Sequence, residues 1–245
     1  MARRHIAGYD RLMGNDRDTA IGGPNHRFPS TQYSLIEAAG GGLSDEARER
    51  VIALYWKPVY RFLRFKFGKD NEDAKDLTQS FFATTLEHDF FARFDPLKAS
   101  FRTYLRMAAE RFAAREHQAA HRQKRGGDVK FEPLEEQSAS TETPEQIFER
   151  EWQRQLLALA LDDLRAHCEG HGKLLHFQIF EAYDLCSEAR PSYGDLAARH
   201  GIAETSVTNH LAWARRMLRE LASERLRGVT SGERELRDEM RRLWT

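Results

Sequence analysis

The chain has 245 residues, of which 38 are Lys or Arg and 38 are Asp or Glu, so its formal net charge is zero. This length allows one or two domains with a buried core, and the charge balance excludes a surface that is basic throughout. No stretch is apolar enough for a membrane span or a signal peptide, and the two cysteines, Cys168 and Cys186, lack CxxC spacing. We therefore expect a cytoplasmic protein that makes no contact with a membrane and has no disulfide framework.

The spacing of apolar residues predicts an all-α protein of two small helical domains, with no β pattern anywhere. Residues 1–27 are rich in Gly and charge and predict a mobile tail. Residues 126–143 combine Gly, Pro, Ser, Thr and Glu and predict a flexible acidic linker between a first domain at 28–125 and a second at 144–228. Helices are predicted from apolar residues at helical spacing over 31–39, 44–67, 71–88, about 99–121, 144–167, 174–185 and 230–245.

Charge is segregated along the chain. Between Ala99 and Arg125 there are seven Lys or Arg residues and two Glu, whereas residues 132–151 contain seven Glu and one Arg. The basic segment also carries aromatic side chains at Phe101, Tyr104 and Phe112. Phosphate neutralisation and base stacking require this mixture of residues, although Phe101 and Tyr104 also fit a helix core.

Residues 192–219 have the pattern of a helix-turn-helix. Gly201 supplies a residue that accepts positive φ after the first helix. In the second helix, spacings of four, three and four predict a buried stripe of Val207, Leu211, Ala214 and Leu218. The opposite face suits base edges and phosphates in a major groove, the alternative being an ordinary helical hairpin with a solvated face. Its residues are Thr205, Ser206, Thr208, Asn209, Trp213 and Arg216.

From about Phe28 to Arg227 the chain resembles a bacterial RNA polymerase sigma factor of the extracytoplasmic-function type, in the sigma-70 superfamily. Besides the helix-turn-helix, the resemblance is carried by YWKPVYRFLRFKFG from Tyr55, EDAKDLTQSFFATTL from Glu72 and FDPLKASFRTYLRMAAERFA from Phe94. It implies a promoter-specificity subunit, not an enzyme, with no cofactor or metal. Its sigma region 2 would bind the clamp of the beta-prime subunit, and its sigma region 4 would read the minus-35 element and contact the beta flap.

The resemblance also implies roles for single residues. The minus-10 element would be captured by Arg111, Phe112, Arg115 and Arg122, and the minus-35 element would be read by the six polar-face residues of the helix-turn-helix. The polymerase-binding residues would be Asp73, Asp76, Gln79 and Phe82.

The polymerase-binding helix departs from the family pattern. The usual form is DAEDLVQE, whereas Lys75 and Ser80 stand here at two of the acidic positions. Loss of these charges weakens an electrostatically steered interface. Phosphorylation of Thr78 or Ser80 by a Ser/Thr kinase would restore negative charge, so we hypothesise a phosphorylation switch. The opposing interpretation is that the clamp interface tolerates fewer charges.

Other functions and controls stay open. A stand-alone helix-turn-helix regulator explains residues 192–219 but not the first domain, and a sigma-like decoy that binds without initiating fits Lys75 and Ser80. An anti-sigma factor, or the amphipathic extension at 229–245, are alternative regulators. A metal site is not favoured, because the candidate ligands match no zinc pattern. Those ligands are His167, Cys168, His171, His176 and Cys186.

Overall fold

The computed structural model describes residues 45–87, 90–95, 97–123, 142–186, 189–230 and 232–244. Every regular element within these ranges is a helix, so the predicted all-α class is confirmed. A 3₁₀ helix spans Phe91–Arg93. The α-helices are α1 (Asp45–Lys66), α2 (Asn71–Glu87), α3 (Phe101–Gln123), α4 (Pro144–Gly170), α5 (Leu174–Asp184), α6 (Tyr193–His200), α7 (Glu204–Arg227) and α8 (Glu233–Leu243).

The helix bounds follow the sequence pattern closely, with one extension. Helix α1 runs without interruption through Pro58, so the proline does not split it. Helix α7 continues past Arg219, where the predicted helix-turn-helix ends, to Arg227. The predicted tail, the helix at 31–39 and the linker up to residue 141 lie outside the described residues.

Helix α4 begins at a capping box that its sequence encodes. The Thr143 hydroxyl accepts a hydrogen bond from the Gln146 amide at 3.2 Å, and the Gln146 side chain accepts one from the Thr143 amide at 2.8 Å. Pro144 occupies the first helical position, where its missing N–H costs no hydrogen bond. This cap fixes where the helix starts after the acidic segment.

The described residues form two compact units. The N-terminal unit contains residues 45–155 and 227–236, and the C-terminal unit contains residues 156–226 and 237–244, so the division falls within α4. The core of the N-terminal unit is rich in aromatic rings from α1, α2 and α3. The first part of α4 adds Phe148, whose ring packs edge-on against Phe62 at 5.9 Å, and Trp152, which lies under the Arg102 guanidinium at 4.1 Å.

The C-terminal unit is built around the buried side of α7. Its core takes side chains from the second part of α4 and from α5, α6 and α7, and Leu243 and Trp244 at the end of α8 pack against it. The predicted stripe of Val207, Leu211, Ala214 and Leu218 is buried there. Among the described residues, no helix combines the length and the low polarity that crossing a bilayer requires.

Replacing Gly201 by Ala should lower the melting temperature by a few degrees, because Gly201 has a φ of 65° and an L-residue there costs about 1–2 kcal/mol. A Cβ at this position meets no atom within 4 Å, so the cost is conformational and not steric. Thermal unfolding followed by circular dichroism measures it. Gly170→Ala is the control, since Gly170 ends α4 without positive φ and also has open space around it. Equal melting temperatures for the two variants would contradict the assigned turn.

Candidate nucleic-acid interface

Helices α6 and α7 form a helix-turn-helix whose ends are fixed by hydrogen bonds. The Ser192 hydroxyl accepts from the Asp195 amide at 3.1 Å, and the Asp195 carboxylate accepts from the Ser192 amide at 3.0 Å. The hydrogen bond from the Ser192 side chain, with that from its amide, holds the pKa of Asp195 below its usual value. At the other end Gly201 is left-handed, and the Ile202 amide donates to the Ala197 carbonyl at 3.0 Å. The predicted role of Gly201 in the turn is confirmed.

The exposed side of α7 is a stripe of short polar and basic side chains. Thr205, Thr208, Asn209 and Arg216 are exposed, whereas Ser206 is half-buried at the edge of the stripe. Arg216 lies 3.9 Å from Glu220, and both side chains are more than half exposed, so this weak pair leaves the guanidinium available to a phosphate. The structure therefore places four of the six residues predicted to read the minus-35 element on one exposed side of α7.

Two bidentate ion pairs fix the orientation of α7 within the C-terminal unit. Arg215 donates to both carboxylate oxygens of Asp184 in α5, at 2.7 and 2.8 Å. Arg225 donates to both oxygens of Asp163 in α4. The hydrogen bonds to Asp184 raise the pKa of Arg215, so its charge is secure at any physiological pH. Sequence reasoning missed these pairs, because nothing in the spacing of the acidic residues connects them to α7.

Trp213 does not belong to the exposed stripe, which corrects the expectation that its ring faces DNA. It is half-buried and packs against the core of the C-terminal unit. The His176 ring lies edge-on to it at 4.8 Å, and the Lys173 ammonium lies 4.3 Å from its centre. Trp213 follows Ser206 by seven positions, so both lie on the same edge of the stripe and both are half-buried.

Two histidines, His167 and His176, contact the Trp213 ring, and each of them also contacts a second histidine, His171 and His210 respectively. The His176 and His210 ring centres are 4.0 Å apart, and those of His167 and His171 are 4.1 Å apart. Burial lowers the pKa of His167, His176 and His210, and neighbouring positive or protonatable groups lower each further. No three His, Cys, Asp or Glu side chains in the described residues are grouped to hold a metal ion.

The basic helix α3 of the N-terminal unit has two arginines held by glutamates of α4. Arg102 lies 3.0 Å from Glu149 and is almost fully buried, and Arg106 lies 3.6 Å from Glu145. Glu145 also pairs with Lys66, whose hydrogen bond lowers the pKa of this carboxyl. Arg102 and Arg106 are therefore neutralised within the unit and contribute little positive field to its surface.

The exposed side of α3 keeps two of the predicted minus-10 residues. Arg111 and Arg115 are one turn apart and both are exposed. The Arg122 side chain lies outside the described residues, although the backbone there is helical. Phe112 is only 8% exposed and packs on Phe81 with ring centres 5.8 Å apart. This corrects the expectation that Phe112 stacks on a base, because a base needs an exposed ring face.

Helix α2 presents a polar face that contains three of the four predicted polymerase contacts. Asp73, Asp76 and Gln79 are exposed along it. Phe82 is 3% exposed and stacks on Trp56 of α1 with ring centres 5.9 Å apart, so it packs in the core and does not reach a partner. This corrects its assignment as a contact residue.

The two hydroxyl side chains considered for phosphorylation differ in access. Thr78 is fully buried, and its hydroxyl donates to the Ala74 carbonyl at 2.7 Å. A kinase therefore cannot reach Thr78 while α2 is folded. This corrects the hypothesis that Thr78 and Ser80 are equally suitable phosphorylation sites. Ser80 is exposed beside Gln79. Lys75 pairs with Glu72 at 3.1 Å, which removes further negative charge from this face.

A scan against protein-family models, a search of curated proteins and a search of solved structures find no match to this chain. The resemblance stated from the motifs is therefore the basis for assigning a function.

The C-terminal unit should lose stability as the pH falls below about 6.5. His167, His176 and His210 have folded-state pKa values below their ordinary 6.5, so the unfolded chain binds more protons and stability present at neutral pH is lost on acidification. Glu220 and Glu224 oppose the shift at His167 only weakly. Melting temperatures between about pH 8 and pH 5 measure it. The double variant H176Q/H210Q should flatten the dependence, and a curve parallel to that of the wild type would contradict the assignment.

Proposed function

We propose that this chain is an RNA polymerase sigma factor of the extracytoplasmic-function type, which directs promoter recognition and transcription initiation. The observation that carries the proposal is the exposed stripe of α7, held by a helix-turn-helix with a defined turn and two bidentate ion pairs. A DNA-binding module alone does not explain the motifs of the first domain. A sigma factor accounts for these motifs and for their order along the chain. All the elements concerned are helices, as the proposal requires.

Each exposed surface takes one role in the proposal. The polar face of α2, with Asp73, Asp76 and Gln79, docks on the polymerase clamp. Arg111 and Arg115 of α3 contact phosphates of the minus-10 element, and the α7 stripe enters the major groove at the minus-35 element. The beta flap binds the C-terminal unit. The charge that directs each contact is local, because the chain as a whole is neutral.

The clamp-binding face has fewer negative charges than the family pattern, and Ser80 is the position where a kinase can add them. A phosphate there supplies about 1.5 to 2 negative charges and three acceptor oxygens. Ser80 is exposed, so the modification needs no local unfolding. We therefore place the proposed switch at Ser80 and not at Thr78.

Replacing Ser80 by Glu should raise run-off transcription by purified core polymerase above the level of the wild type, and Ser80→Ala should not. Gln178→Glu is the control, since it adds the same charge to an exposed position on α5, outside the clamp-binding face. Thr78→Glu should instead lower the melting temperature, because it buries a carboxylate in an apolar core. Equal transcription by wild type and S80E would discard the switch but keep a constitutive sigma factor.

Asn209→Ala should weaken binding to duplexes that the wild-type protein selects from a random-sequence pool by about 5- to 150-fold, since a bidentate base contact contributes about 1–3 kcal/mol. Gln178→Ala is the matched control, because Gln178 is an exposed amide on α5 outside the helix-turn-helix. Equilibrium binding by fluorescence anisotropy measures both. Equal losses in the two variants would argue against the α7 stripe as the reading surface.

The second candidate is a sigma-like decoy that binds polymerase or promoter without initiating. The Lys75–Glu72 pair favours it, because it leaves the clamp-binding face less acidic than the family pattern. Duplex binding without transcription, in the wild type and in S80E alike, distinguishes the decoy, or a stand-alone regulator, from an initiating sigma factor.

A further inference from the structure

The exposed stripe of α7 extends beyond the residues that fit into a groove. Thr205, Ala212, Arg216 and Arg219 are exposed and are separated by seven, four and three positions, so they lie on one side of the helix. Arg219 is about 21 Å along the helix axis from Thr205, at about 1.5 Å per residue. The major groove is only about 12 Å wide. When the first turns of α7 enter the groove, Arg219 therefore lies beside the flanking sugar-phosphate backbone.

The end of α8 packs against this outer part of the stripe. The Trp244 ring lies 5.4 Å from the Arg219 guanidinium, and Leu243 and Trp244 both pack on the core of the C-terminal unit. The Trp244 amide donates to the Arg241 carbonyl at 3.3 Å, so the chain around Arg241 and Arg242 is held within one helical turn of Trp244. Arg241 and Arg242 therefore lie within one helical turn of the residue that contacts Arg219.

Arg241 and Arg242 are exposed, whereas the neighbouring carboxylate of Glu239 is buried. The Arg241 and Arg242 side chains are 77% and 63% exposed, and that of Glu239 is 5% exposed. Both arginines pair with carboxylates of α8 itself: Arg241 lies 3.3 Å from Asp238, and Arg242 lies 3.4 Å from Glu239. The Arg241–Asp238 pair is exposed and contributes about 0–1 kcal/mol, so a DNA phosphate can compete for the Arg241 guanidinium. The Arg242 side chain is exposed although Glu239 is buried, and a guanidinium has five N–H donors, so Arg242 can bind a phosphate while it keeps its contact with Glu239.

We propose that Arg219 of α7 and Arg241 and Arg242 of α8 form a phosphate-binding surface that extends the DNA contact of the recognition helix along the flanking backbone. The inference rests on the proposed function, because it takes the α7 stripe as the face that meets the duplex. Its ligand is the phosphate backbone of double-stranded DNA, which a guanidinium recognises independently of sequence. The C-terminal extension then provides a second contact with DNA, in addition to the packing of its apolar residues on the core.

The salt dependence of binding to a mixed-sequence DNA duplex tests this surface. Each phosphate that a protein neutralises contributes about 0.9 to the slope of log Kobs against log [KCl]. The slope is measured with the full chain between about 50 and 200 mM KCl for wild type, R241Q, R242Q, the double variant and R216Q. R165Q is the matched control, because Arg165 is 59% exposed and pairs with Glu169 at 3.4 Å on α4. Thermal melts verify that every variant keeps the wild-type fold.

The expected result is a slope reduced by about 0.9 for each of R241Q and R242Q, by about twice that for the double variant, and by nothing for R165Q. If R216Q reduces the slope while R241Q and R242Q leave it unchanged, the α8 surface does not bind phosphate, and α7 is retained as the DNA-binding helix. Tighter binding by the α8 variants would also overturn the inference, because α8 would then obstruct the duplex. If the wild type does not bind, or if R216Q too leaves the slope unchanged, the α7 stripe does not meet DNA and the proposed function fails with it.

Discussion

Helix α7 is anchored on its buried side by an apolar stripe from Val207 to Leu226 and at its edges by Arg215 and Arg225. An arginine that donates two parallel hydrogen bonds to one carboxylate fixes direction as well as distance, because the fork geometry tolerates little rotation. The helix therefore cannot turn about its own axis without breaking both pairs. Which side chains of α7 reach a partner depends on this constraint.

A similar pairing of charges shapes the N-terminal unit, with the opposite consequence for its surface. Glu145 and Glu149 lie against Arg106 and Arg102, so these pairs hold the start of α4 to α3 and neutralise part of the basic helix. Arg111 and Arg115 stay exposed on its other side. A helix that is predominantly basic in sequence thus has a neutralised face and a basic face in the structure, which restricts where a nucleic acid can bind.

Much of the fold and part of the candidate site were predictable from local pattern. Apolar spacing gives most helices within a few residues, α7 being eight residues longer than predicted, and the position of Gly201 gives the turn because few other residues accept its φ of 65°. The exposure of Thr205 and Asn209 follows from their phase against the buried stripe. The burial of Phe82 and Phe112 was not predictable, since an aromatic residue in a basic or polar helix suits a core and a binding face equally well.

The sequence by itself determined the helices, the turn, the face of α7 that carries its polar stripe and the segregation of charge, because each depends on residues close together in the chain. Only the tertiary structure decided that Thr78 is buried while Ser80 is exposed, that Trp213 packs against His176, and that Trp244 docks beside Arg219. These contacts join residues from different helices or depend on what covers a helix. Helical periodicity fixes the phase of a side chain on its own helix, but the neighbour it meets depends on how the helices pack.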